Sequence, residues 1–580
     1  MTKTKTIYPA TLLCDFYKVS HMEQYPKGTE SIYSTWIPRS NKFSPQSDRV
    51  VTFGIQGFIK KYLINYFNEH FFSQPKEVVV AQYERYIKYT MGVEKPNSQH
   101  IADLHDEGCL PIVIKALKEG TLAPIKVPML TVENTKPKFF WLTNYLETII
   151  SNEIWQPMTS ATTAYQFRKL LDEFAIKTTG STDGVGFQAH DFGMRGMSGL
   201  DASASSGAGH LLSFTGTDTI PAIAYLEEYY KANIENELVD ASIPATEHSV
   251  MSANTDASHR DEFEAFKRLI TETYPKGFVS IVSDTYDFWK VIGEILPRLK
   301  DDIMNRDGRV VIRPDSGNPV DIICGNYIED LTDSRYPDTK PEDMRDHFAD
   351  VIHDMEDLCG DGYTGEDEFT FKFKLDGKYY KITLEVEYNR HDKRYYYVDY
   401  INFKRVEEFT PSLQDLGLIE ALWNIFGGTV TEQGYKVLDT HIGAIYGDGI
   451  TLERAEQIVK QLARKGFAST NIVLGLGSFT YQHVTRDTHG FAMKATHMTV
   501  NGKESMLFKD PKTDDGTKRS LRGRVAVVKV DGKLTFVDGL DTHSYNANFA
   551  NIDQLEVVFE NGELVREQSL GEIREILQVQ

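Results

Sequence analysis

One stretch near the middle of the chain has the form of a buried strand, a tight turn and a helix start. Val310-Val311-Ile312 is a β-branched run typical of a buried strand. Pro314 ends the strand, Asp315-Ser316-Gly317 is typical of a turn, and Asn318-Pro319 predicts an N-cap and first helical position. A helix start favours an anion. This turn, which also carries Arg313, is therefore a candidate anion site.

Similar turns recur along the chain from about residue 185. Each follows a strand-like segment and carries a carboxylate or glycine, at Asp191, Asp218, Glu247, Asp284, Asp315, Asp448 and Gly475. Strands that alternate with helices predict parallel βαβ units. In a barrel the carboxyl ends of the strands converge on one face, whereas an open doubly wound sheet spreads them along a crevice. The number and evenness of the units favour an α/β fold with an irregular (β/α) barrel, complete or partial.

The predicted segments of this barrel are short. After the opening stretch, the strand-like segments are Phe187–Asp191, Leu211–Phe214, Ser242–His248, Phe278–Val282, Ile442–Tyr446 and Ile472–Leu474. A loop with Arg195 follows Asp191, and a long stretch of small residues, Ser198 to Gly209, comes after it. Ser258 and Asp261 predict a capping box for a helix that ends near Tyr274. Ser412 and Asp415 predict a cap for a helix that ends at Gly427-Gly428, and Ser569 and Glu572 predict a cap for the last helix.

Strand patterns also occur outside the barrel. We expect residues 1–135 and 500–580 to form a β-rich lobe with helices, and residues 136–325 and 411–499 to form the barrel core. The segment 326–410 interrupts the barrel pattern and is interpreted as an inserted β-rich surface module. Its hairpin is predicted at Phe369–Leu375 and Lys378–Tyr388, joined by Asp376-Gly377, and Arg394–Phe403 is a candidate third strand.

Composition excludes several classes of protein. The chain has 580 residues and a net charge of -21, which argues against nucleic-acid or anionic-membrane partners. No apolar run is long enough to span a membrane, and the first residues lack the apolar core of a signal peptide. The four cysteines are far apart and form no CxxC pair, so we expect free thiols and a cytoplasmic location.

Several motifs are missing from the sequence. There is no GxxxxGK[ST] loop, no HExxH or paired CxxC signature, and no GxSxG elbow, so no protein metal site is predicted. His190 and His248 both follow predicted strands, where a lone histidine is usually structural. His248 is the stronger candidate for a base or nucleophile, because Glu247 is adjacent. The carboxylates at the predicted strand ends are also compatible with a barrel glycosidase that uses paired carboxylates.

A series of motifs makes a resemblance specific. They are Asp15-Phe16-Tyr17-Lys18, His190-Asp191-Phe192-Gly193-Met194-Arg195-Gly196, Phe214-Thr215-Gly216-Thr217-Asp218-Thr219, Pro244-Ala245-Thr246-Glu247-His248-Ser249, Val282-Ser283-Asp284, Ile312-Arg313-Pro314-Asp315-Ser316-Gly317-Asn318-Pro319, Gly447-Asp448-Gly449, Thr485-Arg486-Asp487 and Phe508-Lys509-Asp510-Pro511. In these motifs and their order, the chain resembles the nicotinamide phosphoribosyltransferases, of the type II nicotinate/nicotinamide phosphoribosyltransferase family. The resemblance covers nearly the whole chain except roughly 326–410.

The resemblance implies a reaction and an assembly. Enzymes of this family join nicotinamide to 5-phosphoribosyl 1-pyrophosphate, giving nicotinamide mononucleotide and pyrophosphate in NAD salvage. They are homodimers with an irregular α/β barrel and a β-rich lobe, and their active sites lie at the dimer interface. Positive charge develops at C1 of the sugar as pyrophosphate leaves, so charge stabilisation should dominate.

The resemblance also assigns roles at the pyridine ring. Phe192 and the Tyr17 of a second subunit would sandwich the ring, which turns cationic as the bond forms. Asp218 would accept a hydrogen bond from the carboxamide NH₂, with Arg195 near the carboxamide oxygen. Asp218 would also repel the carboxylate of nicotinate.

Further roles concern the sugar and its phosphates. Arg313 would bind phosphate, Asp315 and Asp448 would hold ribose hydroxyls, and the Gly475–Ser478 loop would bind the 5′-phosphate. The remaining predicted substrate-binding residues are His190, Ser280, Gly447, Gly477 and Ser478. The predicted cations of the second subunit, for pyrophosphate or ATP, are Arg39, Arg486, Lys494 and Lys509.

His248 would carry the step that couples the reaction to ATP. The resemblance implies that ATP, a co-substrate, phosphorylates His248, which Glu247 and Asp284 would orient. Mg²⁺ would accompany the polyphosphates and be held mainly by substrate oxygens and water.

The chain departs from animal members in three places. Met194 replaces an aromatic residue, the Gly475–Ser478 loop has fewer glycines, and the 326–410 insertion has no counterpart. Two rival functions follow. A nicotinate phosphoribosyltransferase shares the architecture, but Asp218 argues against it. A non-catalytic binding or signalling homologue is opposed by His248 and by the phosphate-binding cations.

Overall fold

The computed structural model describes most of the chain. The described residues are 8–255, 261–326, 328–331, 340–345, 347–348, 368–389, 394–397, 406–447, 449–509, 513 and 520–579. In chain order the strands are β1 Thr29–Ile37, β2 Arg49–Val51, β3 Ile112–Ala116, β4 Leu122–Pro124, β5 Leu130–Asn134, β6 Ala189–Asp191, β7 Gly216–Thr217, β8 Lys276–Val282, β9 Asp307–Arg313, β10 Glu329–Asp330, β11 Glu368–Leu375, β12 Lys378–Asn389, β13 Arg394–Tyr397, β14 Val406–Glu408, β15 Gly428–Val430, β16 Lys436–Leu438, β17 Ile442–Tyr446, β18 Ile472–Leu476, β19 Ala492–Val500, β20 Lys503–Met506, β21 Arg524–Val530, β22 Lys533–Leu540, β23 Glu556–Glu560 and β24 Glu563–Leu564.

The helices surround these strands. The α-helices are α1 His21–Gln24, α2 Ile55–Phe58, α3 Lys76–Met91, α4 Gln99–Glu107, α5 Leu142–Tyr145, α6 Glu147–Thr179, α7 Leu200–His210, α8 Ile220–Tyr230, α9 His248–Ala253, α10 Phe263–Arg268, α11 Phe288–Lys290, α12 Leu296–Arg298, α13 Lys300–Met304, α14 Pro319–Cys324, α15 Leu413–Phe426, α16 Leu452–Arg464, α17 Ser478–Tyr481, α18 Thr542–Asn548 and α19 Leu570–Gln578. Short 3₁₀ turns include Met194–Gly196 and Arg486–Thr488. Within the described parts of the chain, no helix is long and apolar enough to cross a membrane.

Six parallel strands form the wall of a barrel, in the order β7-β6-β18-β17-β9-β8. The segment 241–246 joins the two edges of this sheet. Ala241 makes a parallel bridge to Gly216 of β7, and Ala245 makes one to Ser280 of β8. The predicted irregular barrel is therefore confirmed. The predicted Ser242–His248 strand is wrong, because Pro244 lacks an N–H and only isolated bridges form.

The stretch of small residues from Ser198 to Gly209 contains helix α7, Leu200–His210. Helix α7 packs so closely on α6 that a Cβ on Gly209 would lie 2.9 Å from the Ala161 nitrogen and the Pro157 oxygen. Small side chains permit this close approach of the two helices. The chain then turns at 211–213, so the predicted strand Leu211–Phe214 is also wrong.

A second sheet combines both ends of the chain. Its seven strands follow the order β20-β19-β1-β5-β3-β23-β24, with antiparallel pairs β1–β19 and β3–β23. Strand β19, Ala492–Val500, belongs to this sheet. The sheet therefore includes residues 492–499, which the sequence analysis assigned to the barrel core. Helix α6 runs from this lobe to the barrel: Ile150 and Ile154 lie in the core of the lobe, while Phe167 and Leu171 lie in the core of the barrel.

The inserted segment contains the predicted hairpin. Strands β11 and β12 pair across a turn in which Asp376 and Gly377 have φ of 50° and 78°, and β13 gives part of the predicted third strand. Residues 398–403 lie outside the described chain. The module attaches to α15, whose N-cap Ser412 and Asp415 form the predicted capping box.

Other predicted helix ends have mixed outcomes. Ser569 and Glu572 form the expected capping box of α19, and Asn318 caps α14 through the Val320 N–H. Ser258 lies outside the described residues, and the helix predicted from its capping box begins at Phe263.

Candidate active site

A cavity of about 580 Å³ runs along the barrel from the carboxyl ends of its strands. The contributing side chains lie on or directly after strands β6, β7, β8 and β9, or on the segment that closes the barrel. At the carboxyl end the cavity is lined by His190, Phe192, Asp218, Ser242, Ser280 and Arg313. The fold therefore brings together residues that are far apart in sequence, as expected for a barrel.

Asp218 follows β7 and is held by two donors. His190 Nε2 lies 2.9 Å from Asp218 Oδ1, and Ser242 Oγ donates to the same oxygen at 2.7 Å. Burial raises the pKa of Asp218, but the hydrogen bonds from His190 and Ser242 and the charge of Arg313 outweigh it and lower the pKa below its ordinary value. Asp218 is therefore an ionised acceptor beside the cavity.

Phe192 provides a flat apolar surface next to this carboxylate. Its ring centroid lies 4.6 Å from that of His190, and its N–H donates to the Leu476 oxygen of β18 at 2.9 Å. Gly475 makes room for it, since a Cβ there would lie 2.8 Å from Phe192 Cδ2. Arg195 is exposed on the 3₁₀ turn after β6 and does not line the cavity.

Two donors in the cavity have no protein partner among the described residues. Arg313 Nη2 donates to the Thr246 oxygen at 2.9 Å, but its buried Nε is unpartnered. Ser280 is 3% exposed and its Oγ is also unpartnered. Buried donors are costly unless they are satisfied, so both indicate a polar ligand.

His248 begins α9, three residues after Ala245, which lines the cavity. Its Nδ1 lies 3.2 Å from Thr285 Oγ1, and its Nε2 lies 3.9 Å from both Asp284 Oδ1 and Asp315 Oδ2. Asp284 Oδ2 accepts from the Asp315 N–H and from Ser316 Oγ, so the turn after β9 fixes this carboxylate.

Glu247 does not have the contact predicted for it. Its carboxylate accepts a hydrogen bond from Ser249 at the start of α9, and the described partner of His248 Nδ1 is Thr285. The sequence analysis missed Thr285, although it follows Asp284 directly. It also missed Ser242, because the contact with Asp218 requires the barrel to close.

The predicted ribose and phosphate residues lie beside one another where they are described. A Cβ on Gly447 would lie 2.6 Å from Asp315 Oδ1, and a Cβ on Gly196 would lie 2.0 Å from Ser478 Oγ. Gly477 is the N-cap of α17. Gly475 lies within β18, so the predicted Gly475–Ser478 loop is shorter than expected. Asp448 lies outside the described residues.

A second group of predicted residues lies on the β-rich lobe. Tyr17 and Arg486 line a pocket of about 230 Å³. Lys494 lies nearby on β19, and burial together with the charges of Arg39, Lys18 and Lys509 lowers its pKa, against the effect of Glu147. These cations form a surface suited to a polyanion.

The two groups form separate regions of one chain. The cavity beside Asp218 and the pocket beside Tyr17 have no lining residue in common. No set of three His, Cys, Asp or Glu side chains with metal-ligand geometry occurs in the described part of the chain either. Asp284 and Asp315 form a pair of carboxylates at most.

Comparisons with known proteins give a consistent result. Residues 187–563 match the nicotinate phosphoribosyltransferase family, and residues 10–114 match the nicotinamide phosphoribosyltransferase N-terminal domain. The chain is 43% identical to a nicotinamide phosphoribosyltransferase of Acinetobacter baylyi, over 97% of this chain and 96% of that protein. It is 28% identical to one of Xanthomonas campestris, with the same coverage. A nicotinate-nucleotide pyrophosphorylase structure from Pyrococcus furiosus aligns over 100% of this chain and 98% of its own, with 12% identity and a TM-score of 0.49.

Proposed function

Because the chain belongs to the nicotinate phosphoribosyltransferase family, we propose that it transfers a phosphoribosyl group to nicotinamide. The substrates are nicotinamide and 5-phosphoribosyl 1-pyrophosphate, and the products are nicotinamide mononucleotide and pyrophosphate, in NAD salvage. The names of the relatives support this reaction. The observation that carries it in this chain is the ionised Asp218 beside Phe192 in the cavity.

Asp218 distinguishes the amide from the acid. The NH₂ group of nicotinamide donates to its free oxygen, while the carboxylate of nicotinate is repelled by the same charge. Phe192 stacks on the pyridine ring, and Tyr17 of a second subunit covers the other face. The aromatic faces stabilise the cationic pyridinium that forms with the new bond.

The sugar and the phosphates bind to the cations and turns around Arg313. As the C1–O bond to pyrophosphate breaks, positive charge develops at C1 and negative charge on the leaving oxygens. Arg313, whose Nε has no protein partner among the described residues, binds phosphate. Asp315 and Asp448 hold ribose hydroxyls, and Gly477 and Ser478 hold the 5′-phosphate.

His248 couples the reaction to ATP. An Nδ1–H donated to Thr285 leaves the Nε2 lone pair free to attack the γ-phosphorus of ATP. The P–N bond forms, ADP leaves, and the resulting imidazolium is stabilised by Asp284 and Asp315 at 3.9 Å. Hydrolysis of the phosphohistidine in the reaction cycle returns the free histidine.

Mg²⁺ accompanies the polyphosphates in this proposal. Asp284 Oδ1 is buried without a partner among the described residues, and Asp315 lies beside it, which suits an ion held by one or two carboxylates plus substrate oxygens and water. When bound, Mg²⁺ would neutralise phosphate charge.

The complete active site requires two copies of the chain. Tyr17, Arg39, Arg486, Lys494 and Lys509 would complete the cavity of a partner subunit, since they lie apart from it in their own. We propose a cytoplasmic location, which the free thiols of Cys14, Cys109 and Cys324 support.

The first prediction concerns the coupling histidine. Product formation is measured from phosphoribosyl pyrophosphate with nicotinamide or nicotinate, with and without ATP, for wild type and His248→Ala. We expect nicotinamide mononucleotide from nicotinamide alone, stimulated by ATP in wild type and not in the variant, because the phosphoryl acceptor is lost. ³²P from γ-labelled ATP should label wild type only.

Ser249→Ala provides a matched control on the same helix. It should keep ATP stimulation, because Ser249 contacts Glu247 and not the imidazole. Turnover of nicotinate in preference to nicotinamide would identify the sister activity, and turnover of neither would favour a binding protein.

A further inference from the structure

The closing segment of the barrel contributes a serine to the Asp218 carboxylate. Ser242 Oγ lies 2.7 Å from Asp218 Oδ1, the same oxygen that accepts from His190 Nε2. Among the described residues, no hydrogen bond is made to the other oxygen, Oδ2. One oxygen of Asp218 is thus occupied by two protein donors and the other is left for a ligand.

This arrangement bears on the choice between amide and acid. We propose that Ser242 is a specificity-determining positioning residue, which acts through Asp218 to favour nicotinamide over nicotinate. This inference rests on the proposed function and adds a residue to it. Two donors on Oδ1 fix the rotation of the carboxylate and direct Oδ2 to the amide NH₂.

The same donors keep Asp218 charged when a second carboxylate approaches. Two carboxylates in one site cannot both stay ionised at low cost, so nicotinate could bind if Asp218 took up a proton. Hydrogen bonds to the ionised form oppose that proton. The charged or titratable groups around Asp218 are His190 on β6 and Arg313 on β9, and both also favour the carboxylate.

Removal of the serine hydroxyl should therefore weaken discrimination in a pH-dependent way. For Ser242→Ala we expect the ratio of kcat/KM for nicotinamide to kcat/KM for nicotinate to fall about tenfold. The fall should be larger at about pH 6 than at about pH 8, because the pKa of Asp218 rises when one donor is lost. Both constants are measured for both substrates at each pH.

Two further variants distinguish this role from a structural one. Ser242→Thr keeps a hydroxyl and should restore most of the ratio. Ser213→Ala removes a buried serine hydroxyl that has no partner among the described residues, and should leave the ratio unchanged. An equal, pH-independent loss for both substrates in Ser242→Ala, or an unchanged ratio, would overturn the inference.

The result also separates this inference from the proposed function. If wild type makes nicotinamide mononucleotide and Ser242→Ala keeps its ratio, only the role of Ser242 fails. If wild type uses neither substrate, or uses nicotinate in preference to nicotinamide, the proposed function itself fails.

Discussion

At the scale of single residues, one buried carboxyl group close to Asp284 differs from the hydrogen-bonded carboxylates of the candidate site. Glu262 is 2% exposed, and its Oε1 has no hydrogen-bond partner among the described residues. Its carboxyl group interacts electrostatically with Asp284. Burial, followed by the charges of Asp284 and Asp261, raises the pKa of Glu262 from 4.5 to about 7. The charge of Asp287 acts in the same direction, and the charge of Lys290 only partly opposes these effects.

A pH-dependent stability follows from Glu262. The unfolded chain ionises this group above its ordinary pKa while the folded chain still holds the proton, so stability falls as pH rises from 4.5 to about 7. Glu262→Gln should therefore raise Tm by about 2–4 °C at alkaline pH and leave it unchanged near the ordinary pKa of glutamate. Scanning fluorimetry across this pH range measures the difference.

Glu264→Gln is the matched control for this prediction. Glu264 is exposed two residues further along α10, so its replacement should give no pH-dependent gain. A Tm gain for Glu262→Gln that is equal at every pH would contradict this prediction, because it would show that the carboxyl group has the same pKa in the folded and unfolded protein.

At the scale of elements, the start of helix α15 joins the inserted module to the barrel. Asp415 closes the capping box of α15 and also accepts hydrogen bonds from Lys372 and Asn326. Burial raises the pKa of Asp415, but the hydrogen bonds from Lys372, Asn326 and Ser412 lower it well below its ordinary value. A single carboxylate thus joins β11 and the segment before the insertion to the helix that resumes the core.

Asp415→Asn should loosen this junction. The change keeps the volume but leaves Lys372 without its charged partner, and we expect a loss of about 2 kcal/mol in stability. Limited proteolysis should cut the insertion faster in the variant, and Tm should fall. Glu572→Gln changes the equivalent position of the α19 capping box, near the end of the chain, and should not affect cleavage of the insertion. Equal cleavage rates in both variants would contradict this role.

At the scale of the whole molecule, the separation of the two site regions predicts complementation between subunits. In the proposed homodimer, Arg313→Ala and Arg486→Ala should each be nearly inactive, because each removes a proposed phosphate-binding cation from every site. When the two variants are unfolded, mixed and refolded together, mixed dimers contain one site with both arginines. We expect recovery of about a quarter of wild-type activity.

Each variant refolded alone is the control for this experiment. A monomer by light scattering, or no recovery on mixing dimeric variants, would show that each site is built from one chain.

Most of the local structure followed from the sequence alone. Strands β9 and β17, the Asp376-Gly377 hairpin, the capping boxes of α15 and α19, and the parallel barrel depend on periodicity and on turn or cap residues that act within a few positions. The motifs also indicated the family, because they fix residue types at short spacing.

The tertiary structure alone decided the rest. The serines and glycines of α7 match a loop in isolation and form a helix because they allow close packing on α6. The segment 241–246 contains a proline that prevents a regular strand, yet it bridges both edges of the sheet. Its closure places Ser242 on Asp218 and His248 beside Thr285. Such contacts join residues far apart in sequence, so local propensity cannot specify them, and only the packed barrel does.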